Sequence, residues 1–90
     1  MRSPSYSSQF HRDVKRLQKR GKDLEKLKTL IEILLAGLPL PPQYKDHPLK
    51  LIWAGYRDAH VESDWVLIYS ATNETVHLER TGTHEDLFES

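Results

Sequence analysis

The spacing of apolar residues changes once along this 90-residue chain, and that change limits the possible folds more than any other feature. Up to residue 37, apolar residues recur every three or four positions, the spacing of one face of an amphipathic helix. From residue 52 onward they alternate with polar residues, as in a strand with one buried face. Helices followed by strands predict an α+β fold, and the length of 90 residues predicts a single domain over 1–90.

Two helices are predicted in the first part of the chain, each with a start and a stop signal. Ser7 or Ser8 can cap the first helix and Gly21 ends it, while Asp23 can start the second and Gly37 ends it. About three residues separate the helices, so we expect an antiparallel hairpin. The apolar stripes contain Phe10, Val14 and Leu17, then Leu24, Leu27, Ile31 and Leu34, with Leu30 and Leu35 at the margins.

The second part of the chain predicts three strands after a proline-rich loop. The loop covers 38–48 and holds four of the five prolines, and the strands cover 52–61, 65–69 and 76–81. A short strand over 4–7 could add an edge, and 84–88 would form a single helical turn or an irregular tail. The expected fold is therefore an N-terminal antiparallel helix hairpin packed on one face of a three- to four-stranded, mainly antiparallel sheet. The chemistry is expected on the other face.

The composition argues against several classes of protein. No apolar run approaches the ~20 residues that cross a bilayer, and the first residues lack the apolar segment of a signal peptide. The chain has no cysteine, which excludes a disulfide scaffold and any thiolate metal site. These features fit a cytoplasmic protein that does not act at a membrane.

The net charge of zero hides an uneven distribution of charge along the chain. Residues 1–28 carry nine Lys and Arg against three Asp and Glu, a balance of +6, whereas 72–90 carry one against five, a balance of −4. A basic helical segment suits contact with a polyanion, although a solvated helix face explains it about equally well. The candidate RNA-binding residues on this segment are Lys15, Arg16, Lys19 and Arg20.

Several side chains in the second half meet the needs of RNA cleavage without a metal. Internal attack requires a base for the 2′-hydroxyl, a cation for the charged phosphorane and an acid for the 5′-oxygen. Histidine titrates near neutral pH, the arginine fork matches phosphate oxygens, and aromatic faces hold unstacked bases. An antiparallel meander can bring the candidates together. These catalytic candidates are His47, His60, Asp64, Arg80 and His84.

Other interpretations of the same residues exist. His47, His60, His84 and Asp64 could together bind a zinc ion. No pair of them has the i, i+4 helical spacing of a His-Glu-x-x-His site, so neither a metal nor another cofactor is expected. The histidines could also be incidental to an inert scaffold. Trp65 could be a core residue, and Arg57 could pair with Asp58 across the sheet.

Four blocks of sequence resemble the YafQ-type branch of the RelE/ParE toxin superfamily. The blocks are YKDHPLK at 44–50, WAGYRDAHV at 53–61, DWVLIY at 64–69 and LERTGTHEDLF at 78–88. The basic hairpin before them is similar in pattern and less specific. The resemblance covers 44–88 densely, and its four separate blocks occur in the order that the family has.

The resemblance implies a toxin of a type II toxin–antitoxin system. Such a toxin is a ribosome-dependent endoribonuclease, an mRNA interferase that cuts messages in the ribosomal A site without a metal. The implied partners are the 70S ribosome with its mRNA, an antitoxin with a ribbon-helix-helix domain, and operator DNA reached through that antitoxin, since the complex represses its own operon. By resemblance, His47, His60, Asp64 and His84 hold acid–base positions, Arg80 binds phosphate, and Trp65 and Phe88 shape the RNA pocket.

Two departures from the family pattern bear on this prediction. The family commonly has glycine after His-Pro-Leu-Lys, where this chain has Leu51, and a positive φ there would strain a leucine. Ribosome-dependent toxins are usually basic, whereas this chain is neutral. The alternative is a ParE-like toxin that binds DNA gyrase without catalysis, and such an inhibitor has no need of the candidate catalytic set.

Overall fold

Five strands form one mixed sheet in the computed structural model, which describes residues 1–88. The strand order is β1-β5-β4-β3-β2, with β1 parallel to β5 and the other neighbours antiparallel. The strands are β1 (Ser3–Tyr6), β2 (His47–Pro48), β3 (Arg57–Glu62), β4 (Trp65–Ala71) and β5 (Thr75–Gly82). The predicted α+β class is confirmed, but the sheet has five strands rather than three or four. The predicted edge strand is present as β1, and it pairs in the parallel direction.

The helices are α1 (Ser8–Lys19), α2 (Leu24–Ala36) and the short α3 (His84–Phe88). Ser7 caps α1 by accepting a hydrogen bond from the Phe10 backbone N–H at 2.9 Å. Asp23 caps α2, and Gly37 ends it in the left-handed conformation at φ 73°. α1 packs mainly against β5 and contacts α2 only slightly, so the first two helices form a looser pair than a packed hairpin. No helix within 1–88 has the length and apolarity to span a membrane.

The main core lies between α1, α2 and one face of the sheet. The predicted stripe residues either are buried or pack partly buried against this core, but Leu30, predicted at the margin of α2, is fully buried. A second, smaller cluster lies on the other face of the sheet, where Val66 and Ile68 meet Leu87 of α3. Trp53 and Tyr56 pack against that cluster from the segment before β3, so the second face is partly covered rather than open.

The predicted strand over 52–61 begins later than expected. Leu51–Trp53 forms a 3₁₀ turn, and β3 starts only at Arg57. The backbone changes direction twice before β3, at Leu51 with φ 58° and at Gly55 with φ 92°. Two left-handed residues so close together interrupt the extended conformation that alternation alone predicted.

Candidate functional site

Four rings lie in a row beside the edge of the sheet formed by β3 and β2. The ring centroids of His47 and His60 are 6.4 Å apart, those of His60 and His84 are 5.4 Å apart, and those of His84 and Phe88 are 5.8 Å apart. We call His47, His60, His84 and Phe88 the ring row. The structure thus brings together the three histidines that the sequence proposed as catalytic.

Strand register explains how residues so distant in sequence come together. Val66 of β4 pairs with His60 on one side and with Gly82 on the other. Because α3 begins two residues after Gly82, the first residues of α3 lie close to His60 of β3. His47 enters from β2, which pairs with the first residues of β3.

Asp64 fixes the orientation of the His84 ring. Its Oδ1 lies 2.8 Å from His84 Nδ1 and also accepts a hydrogen bond from the His84 backbone N–H at 3.2 Å. These two bonds hold the pKa of the Asp64 carboxyl below its usual value, and the side-chain bond has the larger effect. An ionised carboxylate only accepts hydrogen bonds, so His84 Nδ1 carries the proton and Nε2 is left as the basic nitrogen of the neutral ring.

His47 is oriented in a similar way by the backbone. Its Nδ1 donates to the Lys45 carbonyl at 2.9 Å, so its Nε2 is again the nitrogen without a proton in the neutral ring. Nδ1 also lies 3.0 Å from Asp58 Oδ1, but that contact lacks the alignment of a hydrogen bond and is an electrostatic one. Both imidazoles are about half exposed and accessible to a ligand.

Asp58 is a residue of this site that the sequence did not predict. Its carboxyl is almost fully buried behind the histidines of the ring row, and burial raises its pKa, while the three nearby imidazoles act in the opposite direction. The predicted pair between Arg57 and Asp58 is wrong, because Arg57 donates to Asp46 at 2.9–3.2 Å. The sequence feature that could have predicted Asp58 is the two-residue period of β3, which puts Asp58 on the same face as His60.

Arg80 is held by a buried carboxylate. Its Nε and Nη2 donate to the two oxygens of Asp13 at 2.7 and 3.1 Å, and this pairing raises the arginine pKa. Asp13 is fully buried in α1 and also accepts from the Thr81 backbone N–H and from Arg16. About a fifth of the Arg80 side chain remains exposed, in the cleft that Phe88 also lines. This arrangement fixes a cation in the cleft beside Phe88 of the ring row.

Trp65 does not belong to an RNA-contacting surface in this structure. The side chain is fully buried, and its indole N–H donates to Thr81 Oγ1 at 2.9 Å inside the core. β4 is covered on both faces, so every residue over 65–69 is buried. The prediction that Trp65 shapes the RNA pocket by contact is therefore wrong, and its role is to pack the sheet that carries the ring row. Phe88, by contrast, is 39% exposed at the end of α3.

The predicted basic face divides into two kinds of residue. Arg16 donates to Asp13 at 2.8 Å, and Arg20 donates to both carboxylate oxygens of Asp86 at 2.8 and 3.2 Å. Lys15 and Lys19 are exposed, and within 1–88 neither has an ion pair. Arg20 therefore joins the end of α1 to α3, Arg16 forms an ion pair within α1, and the two lysines present exposed charge.

Asp86 links α3 to α1. Besides its bonds to Arg20, its Oδ2 accepts from the Thr83 backbone N–H at 3.1 Å, while its own N–H donates to Thr83 Oγ1 at 3.1 Å, which is a capping box at the start of α3. The hydrogen bond from Arg20, followed by those from Thr83, holds the Asp86 pKa far below its ordinary value. The ionised Asp86 carboxylate therefore stabilises the folded state fully at pH values above its unfolded pKa of ~4. This stabilisation is lost only as the pH falls through the lower pKa that Asp86 has in the folded state.

Replacing Asp86 by asparagine is expected to slow cleavage about tenfold, because α3 carries two members of the ring row and small misplacements of reacting groups are costly. The measurement is the cleavage rate together with the NMR titration of His84. Glu85→Gln is the matched control, since it removes a charge from the exposed side of the same helix. Equal rates for the two variants would show that the link from α1 to α3 does not position the ring row.

Histidine and carboxylate side chains are also the usual ligands of a zinc ion. Within the described residues, no three His, Cys, Asp or Glu side chains have a geometry that could hold a metal ion. The carboxylates of Asp58 and Asp64 contact different imidazoles, at opposite ends of the three histidines. What the residues can do is transfer protons at two or three imidazoles beside a fixed guanidinium.

Together these features define a small α+β protein with a row of imidazoles and an anchored arginine at one face of its sheet. The family model described as "Bacterial toxin of type II toxin-antitoxin system, YafQ" matches residues 2–89. The chain belongs to the YafQ toxin family.

Individual relatives agree with this assignment. A protein of Escherichia coli BL21-DE3 named mRNA interferase toxin YafQ is 58% identical over 88 residues, which cover 97% of this chain and 96% of that protein. The crystal structure of the E. coli DinJ–YafQ complex contains a chain with 57% identity and a TM-score of 0.91, covering 98% of this chain and 99% of that one. A metal-bound toxin from Helicobacter pylori is 38% identical with a TM-score of 0.90, covering 98% and 100%.

Proposed function

We propose that this protein cuts messenger RNA by acid–base catalysis in the ring row, as the toxin of a toxin–antitoxin pair. As a member of the YafQ family it is an mRNA interferase and therefore an endoribonuclease. The observation that carries the catalytic proposal is the ring row itself. Its three imidazoles have successive spacings of 6.4 and 5.4 Å, and its Phe88 lines the same cleft as an arginine fixed by a buried carboxylate.

The proposed chemistry needs no group from outside the protein. One imidazole takes the proton of the 2′-hydroxyl, whose oxygen attacks phosphorus. A second imidazole gives a proton to the 5′-oxygen as the phosphorus–oxygen bond breaks, leaving a 2′,3′-cyclic phosphate and a 5′-hydroxyl. Arg80 neutralises the charge that develops on the phosphoryl oxygens. Asp64 acts as a positioning residue for His84, since its hydrogen bond fixes the ring orientation and tautomer.

Phe88 connects the two parts of this site. Its ring lies 5.8 Å from His84, and it also lines the cleft that contains Arg80. A base that stacks on Phe88 would bring its phosphate close to both groups. Stacking of this kind contributes ~1–3 kcal/mol per base, which suits an enzyme that must hold a strand in one register.

The partners follow from the family and from the charge of the surface. We place the activity on the ribosome in the cytoplasm, where Lys15 and Lys19 offer exposed charge to ribosomal RNA. An antitoxin silences the toxin, as the E. coli DinJ–YafQ complex illustrates for a relative, and operator DNA is reached through a ribbon-helix-helix domain of that antitoxin. The gyrase-binding alternative is not favoured, because the relatives with 57–58% identity carry the name mRNA interferase.

Mapping the ends of a translated message by primer extension after brief induction tests the proposal. Discrete cuts within codons are expected, and protein that has been treated with EDTA and then dialysed should keep its activity on programmed ribosomes, because imidazoles supply both protons. A chelator control is pertinent since a relative with 38% identity has been crystallised as a metal-bound toxin. Loss of cutting after this EDTA treatment, with recovery when zinc is added, would contradict the metal-independent mechanism.

A further inference from the structure

We propose that the cleft between the Leu51–Trp53 turn and α3 holds one nucleotide of the RNA, and that Leu51 and Ile52 form the wall that contacts its base. This inference rests on the proposed RNA cleavage and extends it to the residues that select the substrate. The cleft has a volume of about 580 Å³, within the range of ~300–1,000 Å³ typical of ligand sites. We call Leu51 and Ile52 the apolar rim.

The apolar rim contributes nothing to the core. Leu51 and Ile52 are each 90% exposed, although they are two consecutive large aliphatic residues in a chain of modest core size. Single exposed apolar side chains are ordinary, but an adjacent pair at the mouth of a cleft is typical of a contact surface. Burial in the folded chain therefore does not account for their identity.

Backbone geometry does not account for Leu51 either. Its φ is 58°, in the left-handed region that glycine occupies at much lower cost than leucine. The residue is 90% exposed, so burial within the chain does not offset this strain. A leucine that is both strained and exposed is best explained by a partner outside the chain that its side chain contacts.

The remaining walls of the cleft identify the chemistry of that partner. Phe88 is 39% exposed on the α3 side, and Trp53 supplies a second aromatic group. Arg80 and Lys50 add positive charge, while the charge of Asp86 in the same cleft is matched by Arg20. Flat apolar and aromatic surfaces beside cations fit a base with its phosphate, because the base stacks and the phosphate pairs with the cations.

Binding of an uncleavable RNA analogue tests the proposal without relying on catalysis. The probe is a short oligonucleotide with 2′-deoxyribose at the cut position, and the signal is the fluorescence of Trp53, since the chain's other tryptophan, Trp65, is fully buried. Ile52→Ser and Leu51→Gly are each expected to weaken binding about fivefold, the low end of the range for one lost base contact. Leu38→Ser is the matched control, an aliphatic side chain that is 61% exposed and lies outside the cleft.

A second readout is the pattern of cuts on a translated message. The rim variants are expected to raise KM and to change the relative use of cut sites, with a thermal midpoint equal to or above that of the wild type. The proposal is overturned if the wild type shows no Trp53 response, or if the rim variants keep wild-type affinity and wild-type cut sites. It is also overturned if they lose only antitoxin affinity, which would make the rim an antitoxin contact. Failure of the proposed function is distinguishable, because the wild type itself would then not cut RNA.

Discussion

Replacing His84 by alanine is expected to reduce the cleavage rate by ~10²–10⁴-fold, the usual contribution of one positioned proton donor or acceptor. His84 is oriented by Asp64 through a 2.8 Å hydrogen bond, and its ring lies between His60 and Phe88. The side chain is 45% exposed, so its removal should cost little stability. The measurement is the single-turnover rate on programmed ribosomes, with circular dichroism and antitoxin binding to show that the fold is intact.

His11→Ala is the matched control for this variant. His11 is exposed on α1 and contacts Tyr6, with ring centroids 5.4 Å apart, outside the ring row. Its replacement should leave the rate unchanged. If His84→Ala still cuts at more than about a tenth of the wild-type rate, then a proton-transfer role for this residue does not hold, and His47 and His60 remain as the catalytic imidazoles.

Replacing Asp13 by alanine is expected to lower the free energy of unfolding by about 3 kcal/mol, the low end of the ~3–5 kcal/mol that loss of one partner costs a buried ion pair. The carboxylate is fully buried and accepts hydrogen bonds from Arg80, Arg16 and the Thr81 backbone. The low end applies because about a fifth of the Arg80 side chain can still reach water. A urea titration measures the change.

The same variant should also lose activity, because Arg80 then no longer has a fixed position. Glu74→Ala is the control, since it removes a carboxylate from an exposed turn. A loss of less than about 1 kcal/mol, well under the cost expected for a broken buried pair, would mean that Arg80 and Thr81 find other partners. Asp13 would then not be the anchor of the arginine.

Local pattern was enough to predict the elements and several site residues. The stripe and caps of α1 and α2 are local signals, because the 3.6-residue period and an N-cap involve neighbours in sequence. The histidines of the ring row were predicted from residue type and confirmed as neighbours in space by their ring distances. Their catalytic roles stay predictions.

The pairing partners could not be predicted, because each is set by contacts between residues far apart in the chain. Asp13 and Arg80 are separated by 67 residues and Arg20 and Asp86 by 66, and no periodicity relates them. Arg20 therefore looked like an RNA contact in the sequence, whereas in the structure it secures α3. Trp65 was likewise predicted as a pocket residue, but it is a core residue because both faces of β4 are covered.

Short-range periodicity and residue chemistry are enough to predict the α+β class, the helices and the set of imidazoles. Long-range contacts set which carboxylate pairs with which cation or imidazole, the parallel pairing of β1 with β5, and the left-handed conformation of Leu51 at the mouth of a cleft. These features could not be predicted because hydrogen-bond partners and burial depend on the packing of the whole chain, which local spacing does not specify.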